Sequence, residues 1–539
     1  MKIIVGTSVC KGIAIGKAFL FHKVHIDIPD YPANDRQLEW QSVTDAISQA
    51  DKRLEAYYNI ALETIGDEEA EIFDVHRMML SDDDFLDAIC EKIKDSGKNA
   101  IRAVSETRDD FVAYFEALED EYMRARAADI KDISELLMQI LAKVPEGEKL
   151  NSPAVIFADD LTPSDTVKLE RKNILAFVTR KGSMNSHTAI LSRTMGIPSI
   201  VQADFDDSDI TTGITAAVDG NSGTCYLMPD EATVIRLERA HGEELVYKQE
   251  CEAMRGLPSV TQSGKTIEVF ANIGSSADIE SVLENDAEGI GLFRSEFLYL
   301  GRNSLPTEEE QFKAYRHVAE KMAGKKVIIR TMDIGADKQV DYLGLDVEEN
   351  PALGYRAIRI CLDRPELFQA QLRAICRASA YGNIAIMFPM IASKWEIVEC
   401  KNALKQAQDA LKAEGIPFGD MEVGIMIETP ASVILRDEFA KEVDFFSVGT
   451  NDLTQYTLAA DRQNQKLERY ADPHHSAVIE MLRQIAESAN KNGIWAGICG
   501  ELAGDIELVD KFIDMGYKEL SVVPPLVLPL RKAIRELEL

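Results

Sequence analysis

His187 is the residue whose type and setting most directly suggest chemistry. It stands in the run Gly182-Ser183-Met184-Asn185-Ser186-His187-Thr188-Ala189-Ile190-Leu191-Ser192-Arg193, where a glycine and small polar residues precede an apolar stretch able to bury one face of a helix. Backbone N–H groups at a helix start lack intrahelical partners and favour nearby negative charge, so a phosphoryl group carried on His187 would be stabilised where it forms. A neutral imidazole is a competent nucleophile near neutral pH. The same pattern also fits a buried or capping histidine, and one histidine alone does not separate the two readings.

A second group of polar residues lies in the last half of the chain. Arg294, Arg330 and Arg462 offer three planar guanidinium forks of the kind that grip phosphate or carboxylate bidentately. Glu428 and Asp452 supply two hard oxygen ligands, a set that suits a Mg²⁺ ion retaining some waters and coordinating a substrate phosphate. Asn451 can orient a substrate through its amide, and Cys499 adds a thiol. One at a time these residues fit surface salt bridges, a helix cap and a small buried hydrophobe. Together they describe a site for a small phosphorylated anion, because Arg294, Arg330 with Asp333, Glu428, Asn451 with Asp452, and Cys499 each follow an apolar run of strand length.

Those runs begin near Ile267, Glu288, Lys326, Ile384, Val423, Asp444, Ile494 and Glu519 and alternate with helical patterns, as parallel sheets do. Eight βα units in roughly 270 residues match the size of a (β/α)8 barrel of the TIM type, whose chemistry sits past the C-terminal ends of its strands. A doubly wound open sheet is the alternative. Upstream, Met1-Lys2-Ile3-Ile4-Val5-Gly6 reads as a first strand, and short strands with tight turns continue to Phe21. From about Asp35 to Val144 the texture is charged and helical. Ser81-Asp82-Asp83-Asp84 marks a helix stop and restart, and Phe111, Phe115, Leu118 and Tyr122 have the spacing of a buried stripe on one helix. Strands resume at Ala154-Val155-Ile156-Phe157 and Ile174-Leu175-Ala176-Phe177-Val178, and the stretch from Val218 to Thr224 has a hairpin pattern. The expected organisation is an α/β multidomain chain. Residues 1–24 and 147–229 form a small α/β domain carrying His187, 25–146 a helical insert, 230–258 a connecting helix and 259–539 the barrel.

Composition narrows the setting. At 46% hydrophobic residues the chain is ordinary globular protein, with length for three or four domains. No apolar run approaches the roughly 20 residues that span a bilayer, and the start is too short in apolar residues for a signal peptide. The expectation is a cytoplasmic protein without membrane insertion. A formal net charge of −32 disfavours nucleic acid and favours a basic protein partner, although solubility alone is the simpler explanation of it. The eight cysteines contain no Cys-x-x-Cys pair, which argues against a disulfide framework or zinc site.

Several motifs in fixed order resemble the Enzyme I family, the phosphoenolpyruvate-protein phosphotransferases of the bacterial sugar phosphotransferase system, along essentially the whole chain. They are Ser186-His187-Thr188-Ala189, Leu292-Phe293-Arg294-Ser295-Glu296-Phe297-Leu298, Arg330-Thr331-Met332-Asp333-Ile334-Gly335 and Asn350-Pro351-Ala352-Leu353-Gly354-Tyr355-Arg356, followed by Gly424-Ile425-Met426-Ile427-Glu428-Thr429-Pro430, Val448-Gly449-Thr450-Asn451-Asp452-Leu453 and Cys499-Gly500-Glu501-Leu502-Ala503-Gly504-Asp505. The resemblance implies a swivelling phosphohistidine domain, an inserted helical domain that docks the carrier protein HPr, and a C-terminal barrel that binds phosphoenolpyruvate and forms a homodimer. It further implies Mg²⁺ held by Glu428 and Asp452, phosphoenolpyruvate held by Arg294, Arg330, Asn451, Asp452 and Arg462, attack by His187, and proton delivery to the enolate by Cys499.

Three departures from the family pattern stand out: Ser183-Met184-Asn185 before the histidine, Ala336 after Asp333-Ile334-Gly335, and the ending Val522-Val523-Pro524-Pro525. The first bears on phosphohistidine lability and the last on the final barrel loop. Competing readings are a pyruvate phosphate dikinase or phosphoenolpyruvate synthase, which would need a nucleotide-binding domain, a regulatory protein on the same scaffold, and a nitrogen-branch paralogue.

Overall fold

The computed structural model describes every residue except 23–25, 65, 66, 119, 120, 145–149, 151, 184, 185, 336–339, 463 and 468. Met184, Asn185 and Ala336 therefore lie outside the described residues. The chain divides into two compact units, Met1–Val246 and Tyr247–Leu539.

The first unit opens with strands β1 (Lys2–Val5), β2 (Thr7–Cys10) and β3 (Ile13–Leu20). Five helices follow: α1 (Arg36–Thr64), α2 (Asp67–Leu80), α3 (Asp83–Lys94), α4 (Ala100–Glu116) and α5 (Glu121–Leu141). The sheet then resumes with β4 (Ala154–Ala158), α6 (Pro163–Thr166), β5 (Ile174–Thr179), α7 (His187–Met195), β6 (Ser199–Val201), β7 (Thr215–Asp219) and β8 (Thr224–Leu227). One eight-stranded sheet results, in the order β1-β8-β7-β3-β4-β5-β6-β2. Because β3 and β4 are parallel neighbours, the helices are an insertion between adjacent strands. They enclose a core of their own that includes Leu54, Phe73, Phe85, Ile89, Ile133 and Leu137.

The helix break at Asp82 is as the sequence predicts, its carboxylate accepting the Asp84 and Phe85 N–H groups at the start of α3. The stripe from Phe111 to Tyr122 is different. It spans two helices, since α4 stops at Glu116 and Tyr122 falls in α5. Phe111 and Phe115 pack on the helical core as expected. Helices α4 and α5 lie against each other, and a single continuous helix could not fold back in that way. The hairpin at 218–224 is the antiparallel β7–β8 pair, and α8 (Glu231–Glu252) covers the expected connector.

In the second unit, β9 (Glu268–Ile273), β10 (Ile290–Arg294), β11 (Val327–Arg330), β12 (Ile384–Phe388), β13 (Val423–Ile427), β14 (Phe445–Val448), β15 (Trp495–Ile498) and β16 (Glu519–Val522) close into a barrel. The closing pair is parallel β16–β9, with Leu520 opposite Val269, so the open-sheet alternative falls. Strand side chains alternate between faces. Ile329, Ile425, Ile427, Phe446, Val448, Ile498 and Leu520 join the core shared with the surrounding helices. Leu292, Ile328, Met387, Met426, Phe445 and Cys499 form the inner cluster, with Trp495 stacked on Phe445 at 4.5 Å between ring centroids. The same period of two puts Arg330 above Ile328 and Glu428 above Met426, so the barrel's inner face delivers these groups to its C-terminal mouth. The unusual ending leaves closure intact. Pro524 begins a short 3₁₀ turn, Pro524–Leu526, at a position where its missing N–H costs no bond.

Candidate active site

A cavity of about 700 Å³ opens at the C-terminal mouth of the barrel. Arg294, Arg330, Glu428, Asn451, Asp452, Arg462 and Cys499, the residues that the sequence singles out in this half, all line it. Glu296, Asp333 and Arg356 line it as well.

The four pocket arginines differ in how far the protein already engages them. Buried Arg330 is held by Glu296 Oε1 at 2.5 Å and Asp333 Oδ2 at 3.0 Å. Burial alone would lower its proton affinity; those two carboxylates outweigh it, so the guanidinium stays charged. Arg356 is tied to Asp333 Oδ1 at 2.8 Å and donates to the Tyr456 hydroxyl at 3.1 Å. Among the described residues no carboxylate pairs with Arg294, so its fork is open to an incoming anion. Arg462, half-exposed, stands 3.7 Å from Asp452 Oδ1. Asn451 is occupied: its amide donates to Glu501 Oε1 at 2.9 Å and accepts the Glu501 N–H at 3.0 Å, which fastens the loop after Cys499 to the helix Thr450–Leu458.

Glu428 is 1% exposed. Its Oε1 accepts the Met390 N–H at 2.5 Å, and among the described residues no cation reaches it at ion-pair distance. Burial, then the charges of Asp452 and Asp333, push its carboxyl up to about 8. Cys499 is equally enclosed, and burial pushes its thiol up to about 12. A thiol so protonated at neutral pH is a proton donor rather than a nucleophile.

In the first unit, His187 is the first residue of α7. Ser186 turns its hydroxyl to the Ser183 carbonyl at 2.9 Å, so among the described residues no side chain caps this helix start, and its leading N–H groups lack intrahelical partners. The Thr166 hydroxyl lies 3.1 Å from His187 Nε2. Thr166 is fixed from behind. The Ser164 N–H in the same short helix donates to Asp132 of α5 at 3.2 Å, and Asp129 of α5 meets the buried His76 of α2 at 3.1 Å. The inserted helices thereby brace the segment against which the imidazole rests. Burial lowers the His187 ring to about 4, an effect opposed by Asp132 and reinforced by His76.

Three family models of PEP-utilising enzymes match consecutive parts of the sequence: the N-terminal region over residues 5–126, the mobile domain over 150–223 and the PEP-binding domain over 248–539. The phosphoenolpyruvate-protein phosphotransferase of Bacillus subtilis is 41% identical over 540 residues, spanning 100% of this chain and 95% of its own length. The chain belongs to the phosphoenolpyruvate-protein phosphotransferase family. The family member from Staphylococcus carnosus is 41% identical over 99% of this chain and 94% of its own. A solution structure of Enzyme I is 32% identical, covering 45% of this chain and 99% of its own, with a TM-score of 0.40.

Burial keeps the His187 ring neutral well into acid. The His187 ring resonances are expected to stay flat from neutral pH down past the ordinary value of 6.5 and to move only near 4; an NMR titration with its midpoint at 6.5 would contradict this. The unfolded chain binds that proton already near 6.5. Stability is therefore lost as pH falls from 6.5 to about 4, by up to about 3 kcal/mol.

Glu296, Arg356, Thr166 and Asp132 are pocket or support residues absent from the sequence-derived set. Glu296 and Arg356 sit inside motifs that were legible, whereas Asp333 was itself legible as a charged residue just past the run Val327-Ile328-Ile329. Nothing local in the sequence points to Thr166 or Asp132, which matter only through contacts between distant segments.

Proposed function

We propose that the chain takes the phosphoryl group of phosphoenolpyruvate onto His187 Nε2 and passes it to HPr, releasing pyruvate, as the first step of sugar uptake. The observation that carries this reading is one cavity in which the open Arg294 fork, the braced Arg330 and Arg356, the crowded carboxylates Glu428 and Asp452 and a protonated thiol converge. Arg294 and Arg330 suit the phosphate and carboxylate of the substrate, with Arg462 and Asn451 at the rim.

Glu428 and Asp452 fit a Mg²⁺ ion. They crowd a third carboxylate, Asp333, and a divalent cation would relieve the repulsion that burial and those charges impose on Glu428. Among the described residues no group of three or more His, Cys, Asp or Glu forms a complete cage, so water and substrate oxygens would fill the remaining positions. When bound, the ion supplies charge neutralisation at the substrate's oxygens.

The remaining chemistry belongs to the side chains. His187 Nε2 attacks phosphorus in line, the P–O bond to the enolate breaks, and the Cys499 S–H delivers its proton to the methylene carbon, leaving methyl and thiolate. Positioning and charge supply most of the catalysis in such transfers. The reaction requires the His187 ring to reach the barrel cavity and then to leave it for HPr, a role suited to a separate His187 domain behind the α8 connector. HPr docking on α1–α5, homodimerisation through residues 259–539 and a cytoplasmic location complete the reading. It is supported by the acidic charge of −32, by apolar side chains left exposed on the barrel's helices at Trp395 and Ile434, and by the fact that among the described residues no helix is long and apolar enough to cross a membrane.

Protein supplied with phosphoenolpyruvate, Mg²⁺ and HPr, without nucleotide, is expected to form pyruvate and phosphorylated HPr in equal amounts. Pyruvate that appears only when a nucleotide is added would replace this reading with a dikinase-like one.

A further inference from the structure

Tyr456 lies one turn beyond Asp452 on the helix Thr450–Leu458, and its hydroxyl holds two parts of the cavity wall at once. A carbonyl only accepts and a guanidinium only donates, so both hydrogen-bond roles are fixed. The phenolic proton goes to the Ala352 carbonyl, and the oxygen accepts Arg356 Nη1 at 3.1 Å. Ala352 and Arg356 both line the cavity. The Met390 sulfur is the hydroxyl's next neighbour, at 3.9 Å.

The segment that bears Ala352 and Arg356 needs such a hold. Several of its ties are local: Glu348 accepts the Tyr355 N–H at 2.9 Å, and Arg359 donates to the Gly354 carbonyl at 2.6 Å. Ala357, next to Arg356, is fully buried at a positive φ of 53°, a conformation that a residue with a side chain keeps only where its surroundings impose it. Two of those surroundings come from just past β11, where the Ile334 carbonyl accepts the Ala357 N–H at 2.8 Å and Asp333 accepts from Arg356 Nη2 at 2.8 Å. Tyr456 comes from the other side of the cavity, from the helix that also carries Asn451 and Asp452. Asp452 itself stands farther from Arg356, at 3.6 Å. The Tyr456 hydroxyl therefore sets the distance between this helix and the row Arg330, Asp333, Arg356.

We propose that Tyr456 is a positioning residue for phosphoenolpyruvate: its hydroxyl fixes the Arg356 fork and the Ala352 wall in the arrangement that receives the anion. Tyr456 acts through Arg356, and the inference rests on the reading of this cavity as the phosphoenolpyruvate site. Without the hydroxyl, Arg356 Nη1 and the Ala352 carbonyl each lose a partner, and the fork is held from the Asp333 side alone. Substrate affinity suffers, while His187 and Cys499 are untouched.

The test is steady-state kinetics on full-length Tyr456→Phe with HPr in excess, a change that removes only the hydroxyl. KM for phosphoenolpyruvate is expected to rise about tenfold or more. Turnover is expected to stay within about threefold of wild type, because an interaction made equally before and during transfer governs affinity. An unchanged KM would overturn the proposal. So would a fall in turnover at constant KM, which would place the hydroxyl in the chemistry. Arg356→Lys in the same background separates positioning from packing: it is expected to raise KM far less there than in the wild type, and additive effects would show that the hydroxyl does not act through Arg356. Should Tyr456→Phe fail to fold, Arg356→Lys alone is expected to raise KM by about tenfold or more, and a wild-type KM would be decisive against the proposal. Wild-type protein that makes no pyruvate from phosphoenolpyruvate would remove the reading of the cavity itself; normal wild-type turnover beside an unchanged KM in the variant removes the positioning role alone.

Discussion

Replacing His187 with alanine is expected to abolish phosphoryl transfer from phosphoenolpyruvate to HPr, a loss on the order of 10⁴-fold or more, while the barrel continues to bind substrate. The large effect follows from the ring's surroundings. Thr166 lies against Nε2, among the described residues no side chain caps the start of α7, and burial keeps the imidazole neutral down to about pH 4. Among the described residues no other histidine shares these three features. His76 is fully buried between Asp129 and Asp132, and His474 is paired with Asp505. Measuring pyruvate formation and HPr phosphorylation side by side checks the expectation. Transfer that survives the substitution would move the phosphoryl carrier elsewhere.

Cys499→Ala comes second. The thiol is 3% exposed, is pushed up to about 12, and sits on the strand end that faces the substrate cavity. Loss of a positioned general acid is expected to cut turnover by about 10²- to 10⁴-fold and to leave KM for phosphoenolpyruvate nearly unchanged, because Arg294 and Arg330 remain. A rise in KM at constant turnover would reassign Cys499 to substrate binding. The alanine also leaves only a small cavity in a packed interior, so stability should change little beside the kinetic loss.

The sequence carried the barrel further than it carried the site. All eight strand starts were legible because buried parallel strands are short apolar runs between helical patterns, and their ends pointed to Arg294, Arg330, Glu428 and Cys499. The insertion was legible as a change from glycine-rich strands to charged helices. What escaped depends on pairs of distant residues. Arg356 reaches Asp333 from 23 residues away, and Asp132 supports the helix holding Thr166 from a segment 32 residues away in sequence. The Phe111-to-Tyr122 stripe misled because the apolar spacing in sequence runs on past the end of α4 at Glu116. Glu519 read only as the edge of a strand; its burial is explained when the glycines on β10 and β15 are seen to face it.

The most direct measurement is a single-turnover reaction with phosphorus-labelled phosphoenolpyruvate and Mg²⁺, no nucleotide, and peptide mapping of the labelled protein before and after HPr is added. Acid-labile, base-stable label confined to the peptide containing His187, and its complete passage to HPr, is the result expected. Label on any other residue, or label on His187 that HPr cannot remove, would contradict the account.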